Sequence, residues 1–177
     1  SKNGEHYLPD LFNTIDAQTF SNWEHIFFDN NSSDNTESLC KERLNKIEYY
    51  NSNEDLPLSV ARNIAISKCK GEYVAILDCD DLWDKNKLFA QIKVFEKYDN
   101  IDLCSTDYST LINNRVIKAK KSKIKQLTFK KMLNNYLVCH SSVMFKRLSL
   151  IKIDHLYDKE LHIAHDKDLI LRLVKNH

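Results

Sequence analysis

The sequence predicts an α/β fold, a mixed, mostly parallel sheet with helices on both faces. Three observations carry that prediction. Short aromatic and β-branched runs alternate along the chain with stretches at helical spacing. Tyr73, Val74, Ile76 and Leu77 form an apolar run without alternation, the pattern of a strand buried on both faces. That run ends in Asp78, Asp80 and Asp81, so a core strand delivers its carboxylates to the C-terminal edge of the sheet, where ligands bind in open α/β folds.

Each element follows from local pattern. Leu8, Leu11, Phe12 and Ile15 recur at helical spacing, giving a helix that ends near Gln18 with Pro9 in its first turn. Trp23 to Phe28 is expected to be a strand running into the polar turn Asp29, Asn30, Asn31, Ser32, Ser33, Asp34. Ser33 or Asp34 then caps a helix to about Leu44, and Ile47 to Tyr50 is a further strand. Residues 51–57 form a loop, Leu58 to Cys69 a helix, and Gly71 restarts the sheet. After the acidic cluster, Leu88, Ile92, Val94 and Phe95 mark a helix to about Tyr98, and Ile101 to Tyr108 a strand. A hairpin return is expected around Asn113 and Asn114, then a basic stretch from Arg115 to Lys131 with no acidic residue. That stretch is read as a solvated loop, the sharper alternative being an anion-binding flap or a contact with acidic lipid headgroups. Val143 to Phe145 is a short strand, and Asp166 to Val174 a final helix with Leu169, Ile170 and Leu173 on one face.

Composition narrows the function classes. At 177 residues the chain is expected to be one domain, long enough to bury a core without staples. A net charge of +1 gives no global pull toward nucleic acid. The cysteines, at 40, 69, 79, 104 and 139, include no C-x-x-C pair, so neither a zinc site nor a disulfide framework is indicated and a reducing, cytoplasmic setting is expected. No apolar run approaches the roughly 18 residues of a membrane span, so membrane contact, if any, is expected to be peripheral.

Carboxylates crowded as Asp78, Asp80 and Asp81 are repel one another unless a cation or proton neutralises them. Oxygen-only ligands suit Mg²⁺ or Mn²⁺, which one or two carboxylates hold while substrate phosphates and water complete the shell. A phosphorylated substrate is the expected partner. The plainer alternative is a capped helix start, with Asp80 or Asp81 bonding the free N–H groups of the following helix.

Five blocks in order carry a family resemblance: N-G-E-x-Y-L (Asn3 to Leu8), D-N-N-S-S-D-N-T (Asp29 to Thr36), A-R-N (Ala61 to Asn63), G-E-Y-x-A-x-L-D-x-D-D-x-W (Gly71 to Trp83) and H-D-x-D-L-x-L-R-L (His165 to Leu173). The chain resembles the family-2 glycosyltransferases of the GT-A type, a Rossmann-like fold. The resemblance implies a metal-dependent, inverting transfer from a nucleotide-sugar donor, most often UDP-linked, to a saccharide or lipid-linked saccharide acceptor in bacterial surface-polysaccharide assembly. It assigns Asp29 to the nucleotide base and places Asn3, Asn31 and Arg62 at the nucleotide-sugar site. Asp78 falls near the ribose or sugar, Asp80 is the ligand to Mn²⁺ or Mg²⁺, and Asp166 is the base that deprotonates the acceptor. His140 and Ser141 are expected on the acceptor side, with His165 beside them.

Three departures from the family pattern stand out. A first buried strand is expected before Asn3, and a segment shaping the acceptor site after the last helix. His165 stands where relatives usually carry an acidic residue, with Asp168 as the nearby alternative to Asp166 as base. Other candidates have plainer readings. Cys139, His140, Ser141 and Ser142 would point to alternate faces of a strand and so form no nucleophile–base pair. His162 and His165 lack a third metal ligand, Asp99 and Asp102 are turn residues, Asp107 has a slight case for the acceptor side, and Trp83 is a core anchor. The rivals are a non-catalytic module of the same fold and, less favoured with only two glycines in the chain, a nucleotidyltransferase with its Gly-rich phosphate loop.

Overall fold

The structure, a computed structural model, describes residues 1–112, 115–118, 126–134, 136 and 138–175. Helix α1 (Leu8–Asp16) buries Leu8, Leu11, Phe12 and Ile15, the four residues whose spacing predicts it, and has Pro9 in its first turn. Strand β1 (Ile26–Asp29) pairs in parallel with β2 (Glu48–Asn51), Phe27 opposite Tyr49, with their rings stacked 6.2 Å apart. Between them α2 (Thr36–Lys41) is shorter than expected and gives way to turns after Lys41. Phe27, Cys40 and Ile47 close with α1 into one apolar cluster.

The second sheet has the order β3 (Tyr73–Ala75), β7 (Val143–Lys146), β4 (Leu103–Ser105), with β7 antiparallel to both neighbours. This insertion makes the sheet mixed. Side chains alternate along β7, so Val143 and Phe145 join the cluster containing α3 (Leu58–Lys68), α5 (Phe129–Asn134), α6 (Arg147–Lys152) and α7 (His165–Lys175). Met144 joins the cluster of α4 (Lys87–Lys97), with Leu88 and Phe95. Two core clusters therefore flank one strand. In α7, Leu169 and Ile170 are fully buried, each burial being worth about 1.5–3 kcal/mol.

The apolar run is not buried on both faces along its length. Only Val74 is buried, while Tyr73, Ala75, Ile76 and Leu77 are half-buried, and β3 ends at Ala75. Two local facts explain this. The ladder to β7 fades at Ile76, whose N–H reaches Val143 O at 3.4 Å, and Asp78 N–H turns to the Ser141 hydroxyl at 3.0 Å. On its other side β3 does not pair with β1, and a groove of about 440 Å³ separates them, walled by Phe27, Ala61, Ile66 and Val74. Asn30, Arg62, Asp78 and Asp80 also line it.

A third sheet is the hairpin of β5 (Ser109–Ile112) and β6 (Arg115–Lys118), paired from Ile112 opposite Arg115. Its turn residues, 113–114, lie outside the described residues, as do 119–125 of the basic stretch. Leu111, Ile112, Val116 and Ile117 are all exposed on it. Among the described residues no helix is long and apolar enough to cross a membrane.

Candidate active site

The acidic turn after β3 is organised by partners far away in sequence. Arg62, on the first half of α3, donates from Nη2 to Asp78 Oδ1 at 2.5 Å, and its Nη1 lies 2.7 Å from His165 Nε2 at the start of α7. One guanidinium thus joins the acidic turn to the helix that carries Asp166. Beneath it His140 Nε2 meets the Tyr157 hydroxyl at 2.7 Å, and the Tyr157 ring stands edge-on to both His140 and His165. Asn63 clamps Tyr157 by its backbone, donating to Tyr157 O and accepting from Tyr157 N–H, each at 2.9 Å.

Burial pushes the Asp78 carboxyl up, but His140 and Arg62 outweigh it and hold the group well below the usual carboxylate range. His140 Nδ1 stands 3.8 Å from Asp78 Oδ2, too far for a proper hydrogen bond, so its pull is that of a nearby dipole and Arg62 supplies the direct contact. The crowding of three carboxylates predicts a compensating cation or proton; for Asp78 the compensating charge is Arg62. Asp81 behaves oppositely. Burial pushes its carboxyl up, a hydrogen bond with Ser141 works against that, and the charges of Asp80 and Asp78 push it further up.

Asp80 is exposed at the groove mouth. Among the described residues no three His, Cys, Asp or Glu side chains converge into a ready-made metal cage. The donor set nonetheless fits a hard divalent cation of the open kind. Asp80 presents a carboxylate to solvent at the groove mouth, and Asp81, one residue on, adds a second hard oxygen donor.

The remaining candidates divide into two groups. Asp29 is only 2% exposed, its Oδ1 accepting from Ser32 N–H at 3.0 Å and its Oδ2 from the Tyr49 hydroxyl at 2.8 Å. Asn3 accepts from Ser33 N–H at 2.9 Å, and Asn31 donates to Asp55 at 3.2 Å, so both brace surface turns. Asn30, which the sequence argument did not single out, lines the groove and holds the 52–56 loop through both backbone groups of Leu56. Among these it is Asn30, not Asn3 or Asn31, that reaches the cavity.

His140 and Ser141 do not stand on an open acceptor face, because both are buried beneath the acidic turn. They belong to a 3₁₀ turn, His140–Ser142, rather than a strand, and Ser141 supports Asp78 N–H through its hydroxyl and Trp83 Nε1–H through its carbonyl, the latter at 2.8 Å. His165 is likewise only 8% exposed. Ser142 bonds the Cys139 carbonyl and His140 bonds Tyr157, so no nucleophile–base pair exists there. Trp83 is an anchor, with Lys87 Nζ lying 4.1 Å over its ring. His162 precedes α7 in an exposed turn and does not share a helix face with His165.

Asp166 opens α7 directly after His165, and its charge is felt by His165, Tyr157 and Tyr136. Asp168 is held by Arg172 at 2.8 Å, and the same arginine bonds the carbonyls of His155 and Leu156. Asp166 has no such ion pair among the described residues. Tyr157 is the hub that sequence reading missed. It sits in no motif, and its buried environment is assembled from segments 94 residues apart.

Comparison with known proteins follows the same ground. The family model for glycosyl transferase family 2 matches residues 1–154. The chain is 34% identical over 136 residues to the Escherichia coli UDP-Glc:alpha-D-GlcNAc-diphosphoundecaprenol beta-1,3-glucosyltransferase WfgD, covering 76% of the chain and 53% of that protein. Among solved structures, residues 1–349 of S. aureus TarS in complex with UDP-GlcNAc superpose with a TM-score of 0.84 at 20% identity, covering 99% of the chain and 52% of that 1–349 segment. The mannosyltransferase PcManGT from Pyrobaculum calidifontis, in complex with GDP-Man and Mn²⁺, superposes at 0.70 with 17% identity, covering 94% of the chain and 48% of that protein. These likenesses show a GT-A fold, and the chain spans about half the length of WfgD, of PcManGT and of the 1–349 segment of TarS.

Proposed function

The chain belongs to glycosyl transferase family 2, and from that premise we propose that it moves a sugar from a UDP-sugar to a hydroxyl of a saccharide or lipid-linked saccharide acceptor in bacterial polysaccharide synthesis. The observation that carries this reading is Arg62, which holds donor-side Asp78 and the first residue of α7 at once and so brings the acidic turn beside Asp166. The names of WfgD and TarS, one a UDP-Glc transferase and the other bound to UDP-GlcNAc, support the donor class.

In this reading Asn30 and Arg62 face the nucleotide from the groove wall, while Asp29, Asn31 and Asn3 hold the turn that carries Asn30. Asp78, kept ionised by Arg62, orients the ribose or sugar as an acceptor of hydroxyl hydrogen bonds. Asp80, with Asp81 beside it, would hold Mn²⁺ or Mg²⁺, which when bound offsets the charge that grows on the departing diphosphate. Asp166 takes the proton from the acceptor hydroxyl as it attacks the anomeric carbon from the face opposite the leaving group, which inverts that centre. A positioned base of this kind contributes roughly 10²- to 10⁴-fold.

The test is a thermal-shift panel of UDP, GDP, CMP and dTDP with and without Mn²⁺, since a ligand that binds only the folded chain raises its melting temperature. UDP is expected to stabilise the chain only with Mn²⁺, and Asp80→Ala to abolish that shift. Asp166→Asn should keep the shift while UDP release from a UDP-sugar falls by roughly 10²-fold or more. Equal shifts with all four nucleotides, or none, would overturn the donor assignment. Shifts without turnover in the unaltered chain would favour a non-catalytic module.

A further inference from the structure

The residue through which Arg62 reaches α7 is one for which the proposed chemistry has no use. His165 touches neither the acidic turn nor the groove directly, yet it is buried, opens α7 and meets Arg62 at 2.7 Å. A guanidinium only donates hydrogen bonds, so His165 Nε2 must present a lone pair to it. The imidazole is therefore neutral and carries its proton on Nδ1, which is buried and has no partner among the described residues.

We propose that neutral His165 is a positioning residue: by accepting from Arg62 it fixes the guanidinium between Asp78 and α7, and so sets the place of Asp166 relative to the donor carboxylate. The proposal rests on the reading of Asp166 as the base, and extends it to a residue that touches no substrate.

The geometry leaves little freedom. Arg62 uses two different nitrogens, Nη1 on His165 and Nη2 on Asp78, so tilting the plane to keep one contact loosens the other. Tyr157 limits the tilt from a second side, its ring 5.7 Å from the His165 centroid and 5.8 Å from the Arg62 guanidinium carbon. Protonation of His165 would convert the acceptor into a second donor facing a cation and break the link. The charged and titratable groups that face the imidazole are Arg62 from α3, Asp78 from the acidic turn, His140 from the 3₁₀ turn, Tyr157 from its loop and Asp166 from α7 itself. Burial and then Arg62 push the imidazole below its usual 6.5, with Asp166 and Asp78 opposing, so the neutral form prevails at neutral pH.

Two measurements on the full chain test this. Nitrogen NMR of ¹⁵N-histidine-labelled protein should show His165 with its proton on Nδ1 and a titration midpoint below 6.5. This arm needs no turnover, so it stands apart from any failure of the transferase reading. In UDP release from UDP-glucose with Mn²⁺, the unaltered chain should lose kcat on the acid side with that midpoint. His165→Gln, which can still accept from Arg62 but does not titrate, should keep kcat and lose that acid limb. His165→Lys, which can only donate, should lower kcat by up to about 10²-fold with little change in donor KM. A proton on Nε2, an unchanged acid limb in His165→Gln, or full kcat in His165→Lys would each overturn the proposal.

Discussion

Two polar regions border the groove, and they use hydrogen bonds differently. In the turn after β1, side chains serve backbone: Asp29 accepts from Ser32 N–H, Asp34 from both Glu5 and Thr36 N–H, Asn3 from Ser33 N–H and Glu5 from Asn35 N–H. Two short segments, residues 3–5 and 32–36, cap one another reciprocally. Under the acidic turn, side chains chiefly serve side chains: Arg62 with Asp78 and His165, His140 with Tyr157. The first arrangement fixes chain path and has little room to respond to a ligand. The second is a set of charges and dipoles whose balance changes with protonation or with a new charge in the groove. The contrast teaches that the motif residues before α2 form a frame, and that the responsive part of the site lies between α3 and α7.

Arg62→Ala should separate the two regions most sharply. It leaves Asp78 half-buried without its direct partner and His165 Nε2 with no donor, at a cost of about 1–3 kcal/mol, moderated because the Asp78 side chain is 36% exposed and water can reach it. Turnover is expected to fall by about 10²-fold, because the acidic turn and α7 lose their common tether. Arg62→Lys is the informative companion. A single ammonium restores the charge but cannot span Asp78 and His165, so stability should recover more than UDP release does. Full recovery of both in Arg62→Lys would show that charge alone matters there.

Asp34→Ala addresses the frame. Asp34 accepts at Oδ1 from Thr36 N–H and at Oδ2 from Glu5 N–H, both at 3.0 Å, just before α2. Its removal should cost about 1 kcal/mol, the usual scale for a lost helix-start acceptor, with turnover at saturating donor unchanged. Denaturant unfolding and UDP release read the two effects separately. A loss of turnover as large as that of Arg62→Ala would erase the distinction between frame and network.

The same contrast explains how much could be read from the sequence. The contiguous blocks were legible because one stretch of chain holds its residues together: Asp29 to Thr36 makes its own turn, and Asp78 to Asp81 crowd whatever the fold does. The helices α1, α4 and α7 were legible from their apolar spacing. The partners were not legible. Nothing local says that Arg62, rather than a metal cation, compensates Asp78, or that Tyr157 bonds His140, since these contacts join segments 16 to 103 residues apart. The burial of His140 and Ser141, expected on the acceptor side, was not legible for the same reason, because a polar pair in a short apolar context does not reveal what covers it. The apolar run at Tyr73 overstated burial because a strand pattern does not show which of its edges is paired.

The smallest expected effect sharpens the comparison through pH. His25 precedes β1, its ring edge-on to Phe12 and near Phe27, with its remaining surface facing the groove. Burial, and then the charge of Arg43, push its imidazole from 6.5 down to about 4. The unfolded chain therefore takes up a proton near pH 6.5 that the folded chain refuses until about pH 4, so stability falls as pH drops through that window and is unaffected above it. Between pH 6.5 and 5.5 the loss should be roughly 0.5–1 kcal/mol, and His25→Phe, which keeps an aromatic ring in place, should remove it. His165→Gln should leave most of this stability slope in place while abolishing the acid limb of turnover. If the variants exchange those signatures, the frame and the network have been assigned to the wrong sides of the groove. If they do not, acid lowers the stability of the whole fold through His25 and loosens the network between α3 and α7 by releasing a single arginine.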